Sequence, residues 1–79
     1  MGIQVNDYIL DTFLENQLLL AIVIAKTSTN TGLEIKAYVV HSQDIYYPAG
    51  TYITRHPWDP YVIKVYAFKL DDKYIYFHP

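Results

Sequence analysis

The chain has 79 residues, a net charge of −2, no cysteine, and 52% hydrophobic against 18% charged residues. That length bounds it to one domain, residues 1–79, with a small core, and the lack of cysteine excludes disulfides, thiolate metal sites and cysteine nucleophiles. The six Lys and Arg residues are spread along the chain, so there is no basic block for phosphate contacts and nucleic acid is disfavoured as a partner.

The first patterned segment is DYILDTFLEN, residues 7–16. Ile9, Leu10, Phe13 and Leu14 fall on one helical stripe, with Asp11, Thr12, Glu15 and Asn16 opposite. Asn6 or Asp7 can cap it, and acidic residues in its first turn suit the helix dipole. The stripe favours an N-terminal helix. As a strand, the same segment would turn at ENQ, residues 15–17, into the run that follows.

That run, LLLAIVIAKT at 18–27, suits a strand buried on both faces. Its apolar part is too short to span a bilayer. Asp7, Asp11 and Glu15 precede it where a signal peptide carries basic residues. The chain therefore reads as soluble and cytoplasmic, with no membrane segment. STNTG at 28–32 is a turn. In LEIKAYVVH at 33–41, Leu33, Ile35, Ala37 and Val39 point one way and Glu34, Lys36 and Tyr38 the other, so the two strands form a hairpin.

SQD at 42–44 is a second break. IYY at 45–47 and TYITR at 51–55 flank PAG, and Pro48 limits this region to an edge, a bulge or a short hairpin. YVIKVYAFKL at 61–70 is a long strand, with Tyr61, Ile63, Val65 and Ala67 on one face and Lys64, Tyr66 and Phe68 on the other. DDK at 71–73 is a tight turn, and YIYFH at 74–78 is a last strand. The sum is a β-rich α+β domain: five or six mostly antiparallel strands with an N-terminal helix on the sheet. An all-β small barrel or sandwich is the alternative.

Three features could carry function. Nine tyrosines and three phenylalanines is a heavy load. Tyr38, Tyr66, Tyr74 and Tyr76, interleaved with Lys36 and Lys64, would form one Tyr/Lys face if their strands are neighbours. Such a face can be a protein interface, a platform for single-stranded bases, or plain cross-strand packing on a solvated sheet.

His41-Ser-Gln-Asp44 and His56-Pro-Trp-Asp59 share the spacing H-x-x-D. Imidazole with carboxylate suits a metal site or an acid–base pair, and His78 could add a third nitrogen. The same residue types also serve turns at strand ends. No phosphate loop or nucleophile elbow is present. The sequence assigns no catalytic residue, no metal site and no cofactor.

The third feature is RHPWDPY, residues 55–61. Pro57 and Pro60 hold His56 and Asp59 extended, so the segment is a stiff connection. Arg55, His56, Trp58, Asp59 and Tyr61 have the composition of an interface hot spot. Otherwise Trp58 lids the core and Arg55 pairs with Asp59. The apolar excess, the tyrosines and this loop together point to a non-enzymatic protein-interaction module that also self-associates. A compact, cysteine-free chain of this kind suits a viral or mobile-element accessory or inhibitor protein. The alternatives are a small-ligand or single-stranded nucleic-acid binder on the Tyr/Lys face, and a metal-dependent hydrolase using His41, Asp44, His56 and Asp59.

Overall fold

The computed structural model describes residues 2–14 and 17–78. It is all-β: β1 (Tyr8–Leu14), β2 (Gln17–Thr29), β3 (Gly32–Ser42), β4 (Tyr52–Arg55), β5 (Val62–Leu70) and β6 (Lys73–Phe77). They form one antiparallel sheet in the order β4-β3-β2-β1-β5-β6. The first four strands are a meander, and β5 returns to the free side of β1. No helix long and apolar enough to cross a membrane occurs among the described residues.

The α+β expectation is therefore corrected. Residues 8–14 are the central strand β1, paired with β2 on one side and β5 on the other. Residues 15 and 16, which include most of the ENQ turn, lie outside the described residues. The helical stripe was deceptive because both faces of β1 are covered. Ile9 is buried in one cluster of side chains and Leu10 in another. A strand buried on both sides shows no clean alternation. Neighbouring apolar residues such as Ile9 and Leu10 then mimic a helical stripe. Tyr, Ile, Thr and Phe in this segment are also strand formers.

The sheet coils strongly. Arg55, at the end of β4, donates from Nε to Asp11 Oδ2 on β1 at 2.6 Å. Strands β3 and β2 intervene, so a flat sheet would hold β4 and β1 about 14 Å apart, three strand spacings. Coiling, the normal consequence of strand twist, brings them together. It also gathers Ile9, Ala21, Val23, Ile35, Ala37, Val39, Ile53 and Val62 into one concave core, with Ile3 of the N-terminal segment added.

A second cluster fills the other side. Leu10, Leu20 and Val65 are buried there, with Tyr8, Leu18, Val40, Ile63, Ala67, Tyr74 and Tyr76 packed around them. Strand β2 thus contributes to both cores, as its unbroken apolar run implies.

The joints follow from local chemistry. Leu70 pairs with Lys73, leaving Asp71 and Asp72 as a two-residue loop with φ of 50° and 66°. Two positive φ values are what a type I′ hairpin turn requires, and Asp tolerates them. Residues 45–47 do not form a strand. Asp44 accepts from the backbone N–H of Tyr46, and Ser42 Oγ accepts from that of Asp44. These bonds fold the segment into turns, so only Tyr52–Arg55 pairs with β3.

Candidate interaction surfaces

The β4–β5 connection is held by its own polar groups. The His56 N–H donates to Asp59 Oδ2 at 3.0 Å, and the Asp59 N–H donates to the His56 carbonyl at 3.1 Å. This is Asx-type turn chemistry, and it places the second H-x-x-D pair in a structural role. His56 Nδ1 lies 2.8 Å from the Leu33 carbonyl. A carbonyl can only accept, so Nδ1 is the donor. That bond ties the loop to β3. At the far end, the Tyr61 carbonyl accepts from both the backbone N–H and Oγ1 of Thr12, at 2.9 and 3.0 Å, and the Tyr61 ring packs on the concave core.

With its backbone fixed at both ends, the loop presents Trp58. The indole stacks on the His56 ring, with centroids 4.5 Å apart and planes at 12°. It remains 62% exposed. Trp58 is therefore not a core lid. Arg55 turns the other way and pairs with Asp11 rather than Asp59. The Asp11 side chain is only 5% exposed and that of Arg55 21%. The guanidinium also donates from Nη1 to the Thr54 carbonyl and lies 5.8 Å from the Tyr47 ring. Arg55 is committed to holding the coiled sheet, and the loop presents Trp58 without it.

The Tyr and Lys residues do not share one face. Cross-strand partners point the same way, and the row Tyr38–Ile22–Tyr8–Val65 runs straight across four strands. Lys36 and Tyr38 belong to that face, and so do Tyr74 and Tyr76 through their partners Lys69 and Ala67. Lys64 and Tyr66 flank Val65 and point to the opposite side. Even on the common face, Tyr38 on β3 and Tyr74 on β6 have β2, β1 and β5 between them. Tyr74 and Tyr76 are half-buried in the second core, with Tyr74 and Tyr8 ring centroids 6.3 Å apart. Tyr38 meets Tyr52 edge-on at 5.3 Å, with Lys36 Nζ 4.9 Å above the Tyr52 ring.

His41 is exposed at the end of β3, while Asp44 is buried in its turn. Among the described residues, no group of three or more His, Asp and Glu side chains stands close enough to hold a metal.

A contiguous apolar exposure lies on the β5–β6 ribbon, on the side opposite Tyr74 and Tyr76. Strand β1 covers β5 only from Val62 to Val65. Beyond that point β5 pairs with β6 alone, as a two-stranded ribbon. One ribbon face carries Ala67, Tyr74 and Tyr76 and packs on the second core. The other carries Tyr66, Phe68, Leu70, Ile75 and Phe77, each between 41% and 54% exposed. Tyr66 and Phe77 touch, with centroids 5.7 Å apart, and Phe68 and Ile75 are a cross-strand pair.

At the ribbon's base is a shallow depression of about 200 Å³, lined by Asp7, Tyr8, Lys64, Tyr66, Phe68 and Phe77 among others. Lys64 Nζ sits 3.4 Å from Asp7 Oδ2 at its edge. The phase of Phe68 with Tyr66, and of Ile75 with Phe77, was readable in the sequence. Of the tyrosines expected to share a face, Tyr66 lies on this side of the ribbon and Tyr74 and Tyr76 on the other. Comparison with family models, with curated proteins and with solved structures found no match.

Proposed function

We propose that this chain is a small, cytoplasmic, non-enzymatic protein-interaction module that self-associates. The observation that carries the reading is the contiguous apolar face of the β5–β6 ribbon, with five large side chains about half exposed. Scattered exposed apolar residues are normal on a monomer, whereas a contiguous set marks a contact site. The exposed Trp58 on its fixed loop lies outside that face and offers a separate anchor for a different protein partner, of the type found at interface centres. A viral or mobile-element accessory role rests on chain size and composition. Light scattering and sedimentation of the purified chain across the micromolar range test self-association. The expected result is a species larger than the 9.2 kDa monomer whose population grows with concentration. A strict monomer at high micromolar concentration would remove the main support.

A further inference from the structure

We infer that two copies of this chain associate through the apolar faces of their β5–β6 ribbons, stacked face to face and antiparallel about a two-fold axis near the Phe68–Ile75 pair. The inference rests on the self-association reading above and adds which surface is used and in what orientation.

Area is the first argument. A fully buried aromatic side chain covers about 150–250 Å², so five half-exposed large side chains leave roughly 500 Å² of one face open. That is near the upper end of what a monomer leaves in solvent. Two such faces brought together remove about 1,000 Å² in total, the lower bound for a specific interface and the size of a weak, concentration-dependent dimer. A second copy supplies an area of that kind with no further component.

The ribbon itself is the second argument. A two-stranded hairpin is marginal in water unless one of its faces packs on something. Here the face bearing Tyr74 and Tyr76 rests on the second core. Among the described residues nothing covers the face bearing Phe68 and Ile75, whose large side chains are about half exposed. Stacking it on its own copy at the usual sheet separation of about 10 Å would complete a four-stranded sandwich.

Charge sets the orientation. The tip of the ribbon holds Asp71, Asp72 and Lys73, and its base holds Asp7 and Lys64. A parallel stack would bring the acidic turns together. An antiparallel stack sets each tip against the partner's base, so Asp72 can meet Lys64 and Lys73 can meet Asp7, twice over by symmetry. It also carries Leu70, at the tip, toward the depression at the partner's base.

The full chain lacks cysteine, which allows a position-specific test. Wild type, Phe68→Glu and Trp58→Glu are compared by sedimentation velocity, with thermal melts by circular dichroism to check folding. Ile75→Cys and Trp58→Cys are treated with a bis-maleimide long enough to span stacked sheets, which a direct disulfide is too short to do, and resolved on a denaturing gel. The expected result is a wild-type dimer, weakened at least tenfold by Phe68→Glu, about 1.4 kcal/mol, and unchanged by Trp58→Glu. Ile75→Cys should yield a covalent dimer and Trp58→Cys should not. A dimer that survives Phe68→Glu, or one that Trp58→Glu dissolves, would overturn the assignment while leaving self-association intact. A monomeric wild type would remove both.

Discussion

Strand β5 belongs to two regions that treat the same face differently. In the coiled body, Val62 joins Ile9, Val23 and Ile35 in the concave core and is buried. In the ribbon, Tyr66, Phe68 and Leu70 continue that face and are left in solvent. Past Lys64 the residues of this face are larger than Val62 and again mainly apolar. What changes is the company: the body has five strands that coil around a shared axis, and the ribbon has two. Burial here is decided by how many strands lie within reach and which way the sheet curls. Side-chain type follows that decision only in part.

The sharpest way to disturb the body is to remove the contact that spans its coil. Arg55→Met would leave the buried Asp11 carboxylate without this cation, and the expected loss is about 3–5 kcal/mol. For a domain of this size that is a large share of the total stability. Urea denaturation of the variant against wild type measures it, and a loss below about 1 kcal/mol would mean that the coil is held by apolar packing alone.

The second core is tested by Leu20→Ala. Leu20 is 1% exposed, on the face opposite the concave core. An expected cost of about 2–5 kcal/mol follows from lost transfer energy plus a cavity. If that face were merely solvated surface, the change would fall within about 0.5 kcal/mol.

The smallest effect belongs to the loop. Trp58→Ala should alter stability by no more than about 0.5 kcal/mol, because the loop's hydrogen bonds run through His56, Asp59 and Tyr61 and not through the indole. As the single tryptophan, Trp58 also reports its own surroundings. Its fluorescence should be that of a solvated indole, readily quenched by acrylamide. A protected, blue-shifted emission in the monomer would contradict the exposed placement.

Much of the strand layout was legible from local pattern. The runs at 18–27, 33–41, 61–70 and 74–78 all fall within a residue or two of β2, β3, β5 and β6. Alternation and turn residues act over a few positions, and those positions carry their own signal. The segment at 7–16 failed for a related reason. A central strand with a core on each side gives no alternation, and its long-range partners at Val62–Val65 are invisible to a local reading. The Tyr/Lys face failed at the level of parity and strand order. Tyr66 and Lys64 are one residue out of phase with Val65, and β3 and β6 are far apart in the sheet.

By itself the sequence determined most strand spans, the tight turn at Asp71–Asp72 and the stiffness of RHPWDPY. These depend on steric limits at single residues and on periods of two. Tertiary structure decided that Asp11 meets Arg55, that Trp58 stays outside, and that one face of the β5–β6 ribbon is left open. Each of those depends on which distant strand lies alongside and how far the sheet coils before it runs out of strands.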